Sequence, residues 1–167
     1  MAATYEPIAT TTLGSAAASV TFSAISGSFT DLILVCNYGT STNANEAVYV
    51  QFNSDTGNNY SQTDLYGTGP TSGSQRITNT GFIRIGGRVS GTASGFENIS
   101  ICHIQNYSNS TTNKTLLNRY GAASLSTTAT VGLWRNTNAI TTILIAGASQ
   151  NLNTGSTFTL YGIKAAI

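Results

Sequence analysis

Thr157-Phe158-Thr159-Leu160-Tyr161-Gly162-Ile163 alternates along its length, with Phe158 and Leu160 set between Thr157 and Thr159. A β-strand sends successive side chains to opposite faces, so this segment has an apolar side and a wetter side. Residues 19–25 alternate in the same way. Leu32-Ile33-Leu34-Val35-Cys36 and Ile143-Leu144-Ile145-Ala146 are instead continuous apolar runs of strand length, the pattern expected of strands buried on both faces. Working outward from these, period-two runs rich in Thr, Val, Ile, Tyr and Phe occur at 19–25, 32–38, 47–52, 81–85, 98–105, 115–122, 131–135, 140–146 and 157–163. Gly, Asn, Ser and Thr clusters at 39–45, 68–74, 108–113 and 150–156 separate them and supply turns.

Many short strands at such spacings predict an all-β chain: a single-domain antiparallel β-sandwich, 15–167, jelly-roll-like in topology, with an immunoglobulin-like order as the alternative. Residues 1–14 precede it as an arm or a first edge strand. There Tyr5, Pro7, Ile8 and Leu13 stand among Thr and Ala, and Pro7, which cannot donate to a ladder, suits an edge. These four are the candidate interface residues.

The chain carries 27 Thr, 19 Ser, 16 Asn and 17 Gly, nearly half of its 167 residues, against 8% charged and 40% hydrophobic residues. That is enough apolar material for a core and too little charge for charge-driven disorder. Seven Lys and Arg against six Asp and Glu, net +1, argue against nucleic-acid binding through phosphate neutralisation. No apolar run approaches the length of a membrane helix, and residues 1–6 lack a basic signal-peptide start.

Catalysis needs titratable groups converging on one cleft, and a chain with one His, His103, offers few. By alternation His103 shares a face with Ile99 and Ile101 and opposes Cys102, which makes it a core or interface residue without a visible orienting acid. Cys36 and Cys102 lie within apolar runs and are expected to be free, buried thiols. Asn53, Asp55, Gly57 and Asn59 space oxygen ligands like a calcium loop but lack its acidic end, so a hydrogen-bonded turn is expected. Gly86 and Gly87 before Arg88 are not followed by a helix and fit a bulge or corner. Tyr60, Tyr66, Tyr107, Tyr120 and Trp134 are expected in the core or at a subunit interface rather than as a sugar-binding platform. No metal, cofactor or enzymatic activity is expected.

The opening Thr4-Tyr5-Glu6-Pro7-Ile8-Ala9-Thr10-Thr11-Thr12-Leu13-Gly14-Ser15 resembles the start of small structural proteins of tailed bacteriophages, notably those of cyanobacterial and marine hosts. Phe52-Asn53-Ser54-Asp55-Thr56-Gly57-Asn58-Asn59-Tyr60-Ser61, 131–135, 139–142 and Leu160-Tyr161-Gly162-Ile163-Lys164-Ala165-Ala166 extend the resemblance over nearly the whole chain. It implies a β-sandwich virion component, made in the bacterial host cytoplasm and assembling, often as a homotrimer, on the capsid exterior. There it would bind the major capsid protein as a decoration or cement protein. The alternative it implies is a tail-fibre or receptor-binding module that recognises host surface carbohydrate.

Overall fold

The computed structural model describes residues 4–41, 47–87 and 98–164. Twelve strands follow one another: β1 (Tyr5–Thr12), β2 (Ser19–Phe22), β3 (Asp31–Tyr38), β4 (Val48–Phe52), β5 (Tyr60–Gly67), β6 (Ser72–Thr80), β7 (Ile83–Gly86), β8 (Asn98–Gln105), β9 (Lys114–Ala122), β10 (Ser126–Trp134), β11 (Ile143–Gly147) and β12 (Thr157–Ile163). They form an eight-stranded sheet, β1-β12-β3-β8-β9-β10-β5-β6, and a four-stranded sheet, β2-β11-β4-β7. Every pairing is antiparallel.

The pairs β1·β12, β2·β11, β3·β8 and β4·β7 nest inside one another along the chain. That nesting is the rolled-up double hairpin of a jelly roll, and it displaces the immunoglobulin-like alternative. Two further hairpins are inserted into it, β5–β6 between β4 and β7, and β9–β10 between β8 and β11. Both join the large sheet beyond β8, which therefore grows to twice the width of its partner. Of the two readings of the N-terminal segment, the structure has the edge strand: β1 pairs with β12 from Tyr5 to Thr12, with a bulge between Pro7 and Ala9.

The core lies between the sheets. Leu32, Leu34, Cys36, Cys102, Ile104, Phe158 and Leu160 of the large sheet meet Val20, Phe22, Val48, Val50, Phe52, Ile143 and Ile145 of the small one. The runs at 32–36 and 143–146 are not buried on both faces as expected. Ile33, Val35 and Leu144 are half-buried while their neighbours Leu34 and Ile145 are sealed. The reason is architectural: no second layer among the described residues covers the outer faces of the sheets. β2 also stops at Phe22, short of the expected residue 25, because Ala24 turns into a left-handed conformation at φ 53°.

β5 and β6 were not expected as strands. At Tyr60, Gln62 and Asp64 the buried side of β5 is largely polar, so its hydrophobic period is hidden. The polar groups are satisfied internally. Asp64 accepts hydrogen bonds from Gln62 Nε2 at 2.9 and 3.0 Å and from Thr130 Oγ1 at 2.8 Å, while Gln62 Oε1 accepts the Arg84 backbone N–H at 2.8 Å.

Candidate functional site

The outer face of the large sheet is where the molecule departs from an ordinary surface. Register carries one row across it through Ile33, His103, Leu117, Val131, Thr63 and Arg76. The next row, two residues along each strand, holds Val35, Ile101, Arg119, Ala129, Leu65 and Ser74. Ile99 and Gly67 occupy the row after that. Among the described residues, the large apolar ones left exposed are Leu65 at 66%, Tyr5 at 57%, Val131 at 55%, and Ile99 and Leu117 at 48% each. All five lie on this one face. Single exposed hydrophobics are commonplace, but a contiguous set points to an interaction surface. Between them runs a groove of about 700 Å³, lined by Tyr5, Ile33, His103, Leu117, Arg119, Val131 and Leu65.

His103 does have an orienting acid, contrary to expectation. Its Nε2 lies 2.9 Å from Asp31 Oδ2, and Asp31 Oδ1 accepts the Asn106 N–H at 2.8 Å. The acid sits in β3, 72 residues away in sequence, and β3–β8 register sets it one row from the imidazole. Ile33 and Leu117 flank His103 on either side, so the pair is a polar island in an apolar face.

The four candidate interface residues do not form one surface. Tyr5 and Pro7 are exposed, whereas Ile8 and Leu13 pack against the core and the Leu13 N–H is bonded to Ser156 O at 2.9 Å. Of the four, Tyr5 lines the groove. Leu65, Ile99, Leu117 and Val131 were missed as a group. Their signal was present in part: Leu116-Leu117 and Ile99-Ile101 against Cys102-Ile104 put apolar residues on both phases of one strand, which a one-sided sandwich strand does not require.

Asp55 closes the turn at 53–59. It accepts the Gly57 N–H at 2.8 Å, Asn59 Nδ2 at 3.0 Å and the Trp134 indole N–H at 2.7 Å. Asn53 and Ser54, at φ 52° and 56°, have the positive φ pair of a type I′ turn. Burial pushes the Asp55 carboxyl up, and the hydrogen bonds from Trp134, Asn59 and Gly57 outweigh it, leaving its pKa below the usual range. Gly86 lies at a register shift against β4, as a bulge; a Cβ there would strike the Tyr38 hydroxyl. Arg88, which follows, lies outside the described residues, as do 42–45 of the cluster at 39–45 and Ala165 and Ala166 of the C-terminal stretch. Cys36 and Cys102 are free and buried, and burial pushes the Cys102 thiol up to about 12 and Cys36 well above its ordinary value. Tyr60, Tyr107, Tyr120 and Trp134 are buried and Tyr66 is half-buried. Among the described residues no group of three or more His, Cys, Asp or Glu side chains is placed to hold a metal ion, and no helix is long and apolar enough to cross a membrane.

Comparison with protein-family models, curated proteins and solved structures finds no match. The site therefore rests on its own chemistry: apolar side chains exposed among a few polar and charged ones on one sheet face.

Proposed function

We propose that this chain is a structural protein of a tailed-bacteriophage virion, a decoration or cement protein that binds the major capsid protein on the head exterior as an oligomer. The observation that supports the reading is the cluster of exposed apolar residues, Leu65, Ile99, Leu117 and Val131, on the outer face of the eight-stranded sheet of a chain of net charge +1, a surface through which copies can assemble. The stretches at 4–15, 52–61 and 160–166 that resemble such proteins supply the virion context. A shell component needs contact area on a stiff scaffold, repeated at symmetry-equivalent places. When one oligomer engages several capsid subunits, individually weak contacts combine through effective concentration. The reading assigns the chain no reaction and no cofactor.

A tail-fibre or receptor-binding module is the second reading. It is favoured by the exposed Tyr5 ring at one end of the groove, on which a sugar ring can stack. Copy number in purified particles separates the two. A ratio comparable with the capsid subunit supports decoration, and a few copies per particle support the tail. Stripped heads that fail to take up the added protein would overturn the decoration reading.

A further inference from the structure

We propose that the outer face of the eight-stranded sheet is the contact between copies of this chain, with the β3 and β8 half of one copy packed on the β5 and β6 half of the next. Its size fits. The six opposed strands, β3, β8, β9, β10, β5 and β6, spaced about 4.8 Å apart and each about 20 Å long, present on the order of 580 Å² per copy, so that two copies bury on the order of 1,150 Å² together, above the roughly 1,000 Å² a specific interface needs.

The face is also complementary to itself. A rotation axis parallel to the strands, running between β9 and β10, keeps every residue at its height and brings one half of the face against the other half of the neighbour. A two-fold rotation does this, opposing β3, β8 and β9 of one copy to β6, β5 and β10 of the other and leaving β1 and β12 outside. Leu65, which stands proud at 66% exposure, then meets Ile101, which lies lower and half-buried. In that same row Arg119 lies over Ala129; in the row on one side Ile99 meets Gly67, a bulky side chain over a bare backbone, and in the row on the other side Leu117 meets Val131, apolar on apolar. Arg76 arrives above Ile33, one row from the Asp31 carboxylate, so that cation and anion approach from opposite copies. Apolar residues facing apolar ones and opposite charges approaching each other are what a shared interface requires. A capsid surface or a polysaccharide has no reason to match this face row by row.

The inference concerns the isolated protein. An intact assembly that fails to decorate heads would remove the virion reading alone. Light scattering of the purified chain is expected to give twice the 17.4 kDa protomer mass, and Leu117→Glu is expected to reduce it to one protomer without changing the circular dichroism spectrum. A second variant guards against misfolding. Leu65 and Ile101 of one chain are three strand intervals apart, about 14 Å, beyond the roughly 7 Å that a disulfide spans. In Leu65→Cys/Ile101→Cys a bond between these positions forms only between copies, so mild oxidation is expected to give covalent oligomers that neither single variant gives. A wild-type chain that stays monomeric at high concentration, or a double variant that does not cross-link while folded, would overturn the proposal.

Discussion

Trp134 and Asp55 show how one residue pair can hold together distant parts of this chain. Trp134 is sealed at the end of β10, stacks on Tyr60 at 6.2 Å and tilts against Phe52 at 5.6 Å. Its indole N–H ends on the Asp55 carboxylate, which organises the turn after β4. Asn53 of the same turn binds the segment before β11, giving its Nδ2–H to Ala139 O and accepting the Thr141 and Thr142 N–H groups. Trp134→Phe is expected to cost about 2 kcal/mol in urea unfolding, from the lost charge-assisted hydrogen bond and the smaller ring. The pH dependence follows from the depressed Asp55 pKa. A carboxyl held below its unfolded value contributes stability above that value, and the contribution is lost as pH falls through the folded pKa. Wild-type stability should therefore drop on acidification below about pH 4, and Trp134→Phe should drop less over the same range. Equal slopes for the two proteins would mean that the indole does not set the titration.

At the scale of the element, legibility depended on what each strand buries. β3, β8 and β12 announce themselves because Leu, Ile, Cys and Phe occupy the inward positions. β5 and β6 do not, because Gln62 and Asp64 go inward on a hydrogen-bond network that only register creates. The same blindness hid Asp31 from His103, since a strand pairing 72 residues apart leaves no local trace. β1 was readable as an edge through Pro7, and the structure adds its bulge and an ion pair, Lys164 Nζ to Glu6 Oε1 at 2.8 Å, both common guards of an open edge. The stretches at 4–15 and 160–166 meet in the β1–β12 ladder, and those at 52–61 and 131–135 meet at the Asp55–Trp134 turn. They mark how the fold is closed rather than where it binds. Deleting 5–12 should therefore weaken the fold itself. It uncovers β12 and removes Ile8 from the core, an effect of about 2 to 3 kcal/mol or about 5 to 10 °C in melting temperature. An unchanged melting temperature would return this segment to the role of a docking arm.

Over the whole molecule, the composition that revealed so little chemistry is what shapes the behaviour of the surface. Few charges means that assembly cannot depend much on ion pairing. On the outer face, Arg76 approaching Asp31 is the main cross-copy charge contact, and exposed pairs of this kind contribute about 0 to 1 kcal/mol each. Raising ionic strength from physiological to high values removes that contribution, because screening acts within about 8 Å at 0.15 M and within about 3 Å at 1 M. Loss of one such pair changes an equilibrium constant by about five-fold at most. Contacts among Leu65, Ile99, Ile101, Leu117 and Val131 are not screened, and salts excluded from protein surfaces strengthen burial. Cooling acts in the opposite direction, since apolar association near room temperature is driven by entropy and weakens as temperature falls. The oligomer should thus keep its mass from low to high sodium chloride, tighten in sodium sulfate, and loosen towards 0 °C. These trends are measured by sedimentation across salt and temperature at fixed protein concentration. Dissociation by moderate sodium chloride would mean that Arg76, Arg119 and Asp31, rather than the apolar rows between them, hold the copies together.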